Sequence, residues 1–463
     1  MIVEQLYTKC LAEAAYYIES KGEAAIIDPM RETQQYIDIA KNNGATIKYI
    51  FETHFHADFV SGHVDLAKKT GASIVYGPTA KTGFDAIIAA DNQEFKIGDV
   101  TLKVLHTPGH TPESSTYMLI DENGKETAIF TGDTLFLGDV GRPDLAVKSD
   151  LTKEDLAGML FDSLRTRIMP LSDEITIYPG HGAGSSCGKN MSSETVGTLG
   201  EQKESNYALR ADMTKEEFIK ELTSDILPPP QYFPKNAMMN KMGYNSFEEV
   251  LSQGNKALTI EEFNKEVNEG ALILDVRTQA EFIKGFIPNS LFIGLNGTFA
   301  MWVGALIEDI NQKIVLIVPE GQEEEAVTRL SRVGYDNAVG YLKGGVSSYG
   351  GELNTIKSIS ADEFAETAST CDILDVRKPG EYTSEHIVDA PNYPLDFLND
   401  HLNELDKSKT YHVHCAGGYR SVIAISIMMQ KGFNNLVDIA GGYGAIKNTS
   451  IEKTSYVCPS TLK

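Results

Sequence analysis

The stretch Thr53-His54-Phe55-His56-Ala57-Asp58-Phe59 decides how the first part of this chain folds. It follows an apolar run at residues 47–51 that is typical of a buried β-strand. Two imidazoles and a carboxylate at alternating positions directly after a strand are ligand types that a rigid turn can present to a metal ion. The sequence therefore predicts a metal site at this strand end, with further ligands arriving from elsewhere in the chain.

Three later segments supply such ligands. Each is an apolar, strand-like run that ends in a turn, and the turns carry His110, Asp133 and His181. Because imidazoles and carboxylates from well-separated strands can converge at one edge of a sheet, we expect these side chains to meet the first stretch.

This ensemble over residues 1–230 resembles the metallo-β-lactamase fold, an αββα sandwich. That superfamily contains hydrolases, oxidoreductases and dioxygenases, so the fold alone leaves the reaction open. Members with two metals have a histidine where this chain has Phe59. The second metal thereby loses a ligand, and we expect a single metal.

Within the superfamily the pattern resembles persulfide dioxygenases, which hold one iron by two histidines and one carboxylate. The resemblance implies His54, His110 and Asp133 as ligands of one Fe²⁺ per chain, with coordination positions left for O₂ and a substrate sulfur. Three further side chains would orient those ligands and a bound water: His56, Asp58 and His181.

Two weaker features lie in the same domain. Arg142 fits a contact to a persulfide or a substrate carboxylate, and equally a structural salt bridge with an acid. Cys187 follows His181 on a Gly/Ser-rich loop that we expect to be flexible. It is either a catalytic thiol that accepts or relays sulfur near the iron or an incidental loop cysteine.

The three prolines at 228–230 can continue neither helix nor sheet and mark the end of the first domain. Residues 231–258 have the composition of a helical linker. An internal repeat fills the rest, in copies at residues 259–352 and 357–463. Strands alternate with helices in each copy, which predicts a small α/β domain with a parallel sheet.

The second copy contains the loop His414-Cys415-Ala416-Gly417-Gly418-Tyr419-Arg420-Ser421 between a strand-like and a helix-like run. Backbone N–H groups at a helix N-terminus favour negative charge, which promotes the thiolate and lets the loop hold an anion. Cys415 is therefore a candidate nucleophile. The alternative is a buried cysteine that merely follows a strand.

The first copy has Glu320 in the position of Cys415 and acidic residues near the position of Arg420. It cannot perform the same chemistry. We expect it to serve as a spacer, a docking surface or an oligomerisation module.

Both copies resemble rhodanese domains, which are sulfurtransferases, and the first resembles an inactive one. The resemblance implies that Cys415 carries a persulfide whose outer sulfur moves to sulfite, cyanide or another thiol. It implies that Arg420 holds the loop and adds positive charge. The anion would be cradled by the backbone amides of four residues: Ala416, Gly417, Gly418 and Tyr419.

Composition excludes several classes of partner. The net charge of −24 argues against nucleic acids and anionic membranes. The five cysteines are odd in number and widely spaced, which fits reduced thiols in the cytoplasm. The sequence shows no signal peptide or membrane span, and we expect a cytoplasmic homo-oligomer.

The whole architecture resembles bacterial persulfide dioxygenase–rhodanese fusions that detoxify sulfide. The resemblance implies oxidation of a low-molecular-weight thiol persulfide by O₂ to sulfite, which then combines with the Cys415 sulfur to give thiosulfate. One alternative is a thioester hydrolase of the glyoxalase II type with two zinc ions, and another is a non-enzymatic persulfide carrier. The carrier thiol stays open among glutathione, coenzyme A and bacillithiol.

Overall fold

The computed structural model describes residues 1–148, 150–189, 191–224 and 226–458. The chain forms two compact units, residues 1–249 with 330–335 and residues 250–329 with 336–463. Residues 459–463, at the end of the predicted second copy, lie outside the described residues.

The first unit contains two six-stranded sheets. The strands of the first sheet follow chain order: β1 (Ile2–Thr8), β2 (Glu13–Ser20), β3 (Glu23–Ile27), β4 (Thr46–Glu52), β5 (Ser73–Tyr76) and β6 (Ile87–Ile88). Strands β1 to β3 pair antiparallel, and β3 to β6 pair parallel.

The second sheet has the order β12-β11-β10-β9-β8-β7. Its strands are β7 (Glu94–Ile97), β8 (Val100–His106), β9 (Ser115–Ile120), β10 (Glu126–Gly132), β11 (Thr176–Pro179) and β12 (Gly197–Thr198). All neighbours are antiparallel except β10 and β11, which run parallel.

Among the described residues, six α-helices belong to the first unit: α1 (Gln34–Asn42), α2 (His63–Thr70), α3 (Lys153–Ser163), α4 (Leu199–Ser205), α5 (Lys215–Thr223) and α6 (Phe233–Met242). Helix α7 (Phe247–Gly254) begins at the end of the first unit and continues into the second. Helices α1 and α2 pack on the first sheet, and α3 to α5 pack on the second.

The two sheets pack face to face because their strands bury both faces. On β2, Tyr16 and Ile18 enter the core between the sheets, whereas Ala15 and Tyr17 enter the core under α1 and α2. The layers therefore run helix, sheet, sheet, helix, and the predicted αββα sandwich is confirmed.

The second unit begins with a five-stranded parallel sheet of order β13-β17-β16-β14-β15. Its strands are β13 (Ala257–Leu258), β14 (Leu272–Asp275), β15 (Leu291–Phe292), β16 (Ile314–Ile317) and β17 (Ala338–Leu342). The helices of this copy are α8 (Ile260–Asn268), α9 (Gln279–Lys284), α10 (Phe299–Leu306) and α11 (Glu323–Ser331).

A four-stranded parallel sheet of order β18-β21-β20-β19 follows. Its strands are β18 (Lys357–Ile359), β19 (Asp372–Asp375), β20 (Tyr411–His414) and β21 (Leu436–Ile439). Its helices are α12 (Ala361–Ala365), α13 (Pro379–Ser384), α14 (Leu398–His401), α15 (Tyr419–Gln430) and α16 (Gly442–Ile446).

The two copies of the sequence repeat also make the same side-chain contact at the end of one strand. Asp275 ends β14 and binds the guanidinium of Arg277, and Asp375 ends β19 and binds Arg377 in the same way. The predicted pair of α/β domains with parallel sheets is confirmed. Every helix within the described residues is too short or too polar to span a bilayer.

Candidate metal centre and sulfur loop

Three strand ends of the first unit bring His54, His110 and Asp133 together, and we call these residues the metal group. They follow β4, β8 and β10, and their ligand atoms lie within 4.8 Å of one another. Asp133 Oδ2 is 3.4 Å from His110 Nε2 and 3.9 Å from His54 Nε2. These distances are too long for hydrogen bonds, and they suit three donors arranged around one ion.

Hydrogen bonds orient both imidazoles of the metal group. His110 Nδ1 lies 2.8 Å from the carbonyl of Arg142, which can only accept, so Nδ1 carries the proton. The Thr53 hydroxyl donates to Asp28 Oδ2, so it accepts from His54 Nδ1 at 3.0 Å. In both rings Nδ1 is used in these hydrogen bonds, and Nε2 is the atom that faces Asp133, as metal ligation through Nε2 requires.

The chemistry of the metal group fits a divalent cation. Neither carboxylate oxygen of Asp133 has a hydrogen-bond partner among the described residues, although the side chain is buried. Burial, with the imidazoles of His56 and His110, lowers the pKa of His54 well below its usual value, so this ring is neutral. Two imidazoles and one unpaired buried carboxylate match the donor set of non-haem Fe²⁺ sites.

His56 lies beside the metal group and binds two buried carboxylates instead. Its Nε2 atom is 3.1 Å from Asp28 Oδ1 and 3.7 Å from Glu52 Oε2. Burial opposes a charged ring, but Asp28 and Glu52 outweigh it and raise the pKa of His56 to about 9.

A second buried group adjoins the first and consists of Asp58, His181 and Cys187, with ligand atoms within 4.8 Å of one another. His181 Nε2 lies 3.3 Å from Asp58 Oδ2 and 3.5 Å from Asp133 Oδ1. Asp133 therefore contacts both groups. Phe59 is fully buried, and its ring packs 4.4 Å from that of His56.

Cys187, which follows His181 on the Gly/Ser-rich loop, lies inside the domain next to the metal group. Its side chain is buried, and its carbonyl accepts a hydrogen bond from the backbone N–H of Arg142 at 3.0 Å. Burial, with the carboxylates of Asp58 and Asp133, raises the pKa of the thiol well above its usual value. Cys187 is thus a neutral thiol in this environment, and its catalytic role stays a prediction.

Arg142 forms the salt bridge that was one of its two expected roles. Its guanidinium binds Asp144 at 2.7 and 2.8 Å and donates to the carbonyl of Ser186 at 3.2 Å. Because the Arg142 carbonyl also accepts from His110, this residue connects the metal group to the loop of Cys187. A contact to substrate stays a prediction.

The sequence reading missed several residues that support the site. Asp28 follows β3 and accepts from the backbone N–H of Thr53 at 2.7 Å. Glu13 Oε2 lies 3.2 Å from His181 Nδ1. Acidic residues beside apolar strands were the available signal, because such residues are seldom fully buried without a partner.

Asn240 was missed for a different reason, since α6 lies in the segment expected to be a linker. Its side-chain amide donates to the carbonyls of His56 and Phe59 at 2.8 and 2.7 Å and accepts from the N–H of Ser61. One helix of that segment therefore fixes the shape of the metal-binding turn.

The second unit places Cys415 on the loop between β20 and α15, and we call residues 414–421 the sulfur loop. The N–H of Gly418 donates to Cys415 Sγ at 3.1 Å. The N–H of Tyr443 donates to the Cys415 carbonyl at 2.7 Å, which ties the loop to α16. Gly418 has a φ of 99°, which a residue with a side chain rarely adopts.

Arg420 is held by an acid within its own copy. Its guanidinium makes a bidentate pair with Glu381 at 2.6 and 2.8 Å. Glu381 also accepts from the N–H of Lys378, as the matching Glu281 of the first copy does from the N–H of Thr278. Among the described residues, however, Glu281 has the Thr278 hydroxyl as its further donor and no arginine. The two loops therefore differ in their contacts as well as in the Cys415 and Glu320 positions.

Comparison with known families agrees with the division of the chain into a metal-binding domain and two repeated α/β copies. Residues 8–181 match the model of the metallo-beta-lactamase superfamily, and residues 259–352 and 360–449 match that of the rhodanese-like domain. The predicted order of a metallo-β-lactamase domain and two rhodanese-like domains is confirmed.

Curated relatives fall into two functional classes. The cytoplasmic hydroxyacylglutathione hydrolase of Arabidopsis thaliana is 29% identical over 180 residues, which are 38% of this chain and 66% of that protein. The chain thus spans slightly less than two thirds of the length of this relative. The mitochondrial persulfide dioxygenase ETHE1 of Bos taurus is 30% identical over 211 residues, which are 45% of this chain and 74% of that protein.

Among solved structures, the chain is similar to a metallo-beta-lactamase from Staphylococcus aureus subsp. aureus COL. The two share 34% identity with a TM-score of 0.65, and the match covers 74% of this chain and 98% of that chain.

Proposed function

The chain belongs to the metallo-β-lactamase superfamily and carries two rhodanese-like domains, and we propose that it is an iron-dependent persulfide dioxygenase coupled to a sulfurtransferase. One observation carries the proposal. Asp28 binds His56, which leaves two histidines and one carboxylate as the metal group. Phe59 agrees with this, since by the resemblance to the superfamily its position is that of a histidine in members with two metals. This set is the iron-binding face of many non-haem oxygenases.

The first reaction consumes one thiol persulfide, one O₂ and one water, and yields one thiol, one sulfite and two protons. The outer sulfur of the persulfide is oxidised and O₂ is reduced. Bound iron would supply the chemistry that brings O₂ and this sulfur together. His54, His110 and Asp133 would hold the ion, and the buried carboxylate of Asp133 would balance part of its charge.

The second reaction takes place at Cys415. A second thiol persulfide transfers its outer sulfur to the Cys415 thiolate, which releases the thiol and leaves a persulfide on the protein. Sulfite then attacks the outer sulfur, the sulfur–sulfur bond to Cys415 breaks with its electron pair staying on the Cys415 sulfur, and thiosulfate leaves. The backbone N–H of Gly418 already contacts the Cys415 sulfur and would stabilise its negative charge.

The sum of these steps turns two thiol persulfides, O₂ and water into two thiols, thiosulfate and two protons. Cys187 lies next to the metal group, and we retain it as a candidate acceptor of sulfur from the first site. Arg142 is retained as a candidate substrate contact. A cytoplasmic location and a homo-oligomeric state belong to the same proposal.

A thioester hydrolase of the hydroxyacylglutathione type is the second candidate function. Two observations favour it: the identity to the Arabidopsis relative, and the buried group of Asp58, His181 and Cys187 beside Asp133. Such an enzyme would bind two zinc ions, and the rhodanese-like pair would have no evident task. A persulfide carrier without oxygenase activity is the third candidate.

Metal analysis and oxygen uptake separate these candidates. The full chain is purified anaerobically, its metals are quantified, and O₂ consumption is followed with persulfides of glutathione, coenzyme A and bacillithiol. One iron per chain, O₂ uptake with at least one persulfide and thiosulfate as product support the proposal. Two zincs with thioester hydrolysis support the hydrolase, and a fully loaded metal site without O₂ uptake supports the carrier.

A further inference from the structure

The degenerate copy, residues 259–352, contacts the sulfur loop of the active copy. The Tyr419 hydroxyl donates to the carbonyl of Gly294 at 2.7 Å, and its ring packs 5.9 Å from that of Phe292. Further along α15, the backbone N–H of Phe292 donates to the Ser426 hydroxyl at 3.1 Å. The loop that carries Cys415 is therefore anchored in the other copy as well as in its own.

The fit around Tyr419 is close. A Cβ atom on Gly297 would lie 2.4 Å from Cζ of Tyr419, a distance at which the ring or the backbone must move. Burial raises the pKa of the Tyr419 phenol, which consequently stays protonated and donates to Gly294. Only a residue without a side chain fits against the ring at position 297.

A second contact brings a polar side chain to the sulfur loop. Gln279 opens α9 of the degenerate copy, and its Nε2 atom lies 3.8 Å from the position that a Cβ on Gly418 would occupy. Gly418 is the residue whose N–H contacts the Cys415 sulfur. Within the described residues, the Gln279 amide has no hydrogen-bond partner. The active copy has Pro379 at the matching position, which offers no donor.

Such a donor adds to what the sulfur loop itself offers, because the cation of the loop is paired with an acid. The two terminal guanidinium nitrogens of Arg420 are paired with Glu381, and the chain carries a net charge of −24. Local N–H groups would therefore help to bind an anionic acceptor that approaches Cys415. The Gln279 amide supplies two N–H groups beside the loop.

We propose that the degenerate copy completes the sulfur-transfer site, with Gln279 binding the oxygens of sulfite and thiosulfate and the Tyr419–Gly294 hydrogen bond holding the loop in place. This inference rests on the proposed sulfurtransferase activity of Cys415. In the transfer step, sulfite forms a bond to the outer sulfur while the bond to the Cys415 sulfur breaks. Gln279 exchanges no proton or electron, and it acts only by hydrogen bonding to the sulfite oxygens.

A charge series at position 279 tests the proposal in the full-length protein. Thiosulfate serves as sulfur donor and cyanide as acceptor, so the assay is independent of O₂. Gln279→Glu places a carboxylate beside the anion and should raise KM for thiosulfate about tenfold, whereas Gln279→Lys should lower it. The value of kcat should change less than twofold in both variants. Added salt should shrink both shifts.

Position 322 provides the matched control. Gln322 is an exposed glutamine in the degenerate loop itself, and Gln322→Glu and Gln322→Lys add the same charges to the same copy. Both should leave KM unchanged. Folding is not at issue in the Gln279→Glu variant, because an acid in the first turn of α9 is favourable to the helix.

The outcomes distinguish this inference from the function on which it rests. The inference is supported if KM for thiosulfate increases from Lys to Gln to Glu at position 279 and does not change with the residue at position 322. Equal KM values across the Gln279 series, with a persulfide on Cys415 detected by mass spectrometry, overturn it and leave the sulfurtransferase standing. If wild-type Cys415 forms no persulfide with thiosulfate, both the inference about Gln279 and the proposed sulfurtransferase activity fail.

Discussion

His56 Nε2 lies 3.1 Å from Asp28 Oδ1, so the imidazole nearest in sequence to His54 is bound by a buried carboxylate. Asp28 also accepts from the N–H and hydroxyl of Thr53, and that hydroxyl in turn accepts from His54. One carboxylate thus draws one histidine away from the metal group and orients another. We infer that this arrangement selects a site with two histidines and one carboxylate over a site with three histidines.

Replacing Asp28 should change the metal that the protein binds. Asp28→Asn weakens the charge attraction for His56, and the freed ring can join His54 and His110, which favours zinc. We expect the zinc-to-iron ratio to rise and O₂ uptake to fall about 10- to 100-fold, as for other residues that orient metal ligands. Elemental analysis after growth in matched metals measures the first effect. The surface variant Asp99→Asn serves as control, and an unchanged ratio in Asp28→Asn would contradict the inference.

Removal of the metal should separate the two activities. A chelator takes the ion from the metal group, whereas the Cys415 site uses only protein groups. We expect O₂ uptake to be lost and sulfur transfer from thiosulfate to cyanide to continue at more than half its rate. Adding Fe²⁺ should restore O₂ uptake and adding Zn²⁺ should not. Loss of both activities on chelation would argue against independent sites.

Substitution of the sulfur-loop thiol should change the product and leave oxygen consumption intact. Cys415→Ser removes the persulfide carrier, so sulfite accumulates and thiosulfate falls by about 100-fold or more. The rate of O₂ uptake should stay within twofold of wild type. Cys371→Ser, at a half-exposed thiol of the same copy, is the matched control. Thiosulfate production by Cys415→Ser at the wild-type rate would exclude coupling through this residue.

Asn240 should contribute to the stability of the metal-binding turn. Asn240→Ala leaves the carbonyls of His56 and Phe59 and the N–H of Ser61 without their partner in a buried region. The free energy of unfolding should fall by about 2–3 kcal/mol, because buried polar groups lose their hydrogen bonds. Denaturant unfolding measures the change, with the exposed Asn123→Ala as control. A loss equal to that of the control would show that α6 does not support the turn.

The stability of the metal-free protein should depend on the protonation of His56. Its pKa is raised to about 9 in the folded protein, against about 6.5 when unfolded. The pairing with Asp28 therefore stabilises the fold fully below pH 6.5 and is lost as the pH rises through about 9. We expect the free energy of unfolding to decrease by about 1–3 kcal/mol across this range. His56→Gln should flatten the profile between these pH values, and the same slope in that variant would assign the effect to another group.

Much of the site could be anticipated from local pattern. His110, Asp133 and His181 each follow an apolar run. The ends of neighbouring strands lie along the same edge of a sheet, so the residues that follow these strands come close together. The contact of Asp28 with His56 could not be anticipated in this way. It depends on β3 pairing parallel to β4 with Ile27 beside Phe51, which sets Asp28 next to the turn after β4.

Side-chain burial was also beyond the reach of sequence pattern. The Gly/Ser-rich surroundings of Cys187 gave no sign that its thiol is buried, or that Arg142 holds the loop through backbone and side-chain hydrogen bonds. A long-range pairing of this kind leaves no local periodicity in either segment.

The sequence by itself determined the fold class, the repeat, the ligand types and the replacement of the nucleophilic cysteine by Glu320 in the first copy. These follow from periodicity and residue chemistry, which are local properties. Only the tertiary structure decided which imidazole faces the metal group and that Gln279 and Gly294 reach the sulfur loop. Those contacts join residues far apart in the chain. Their geometry follows from strand register and the packing of one copy on the other, which no single segment encodes.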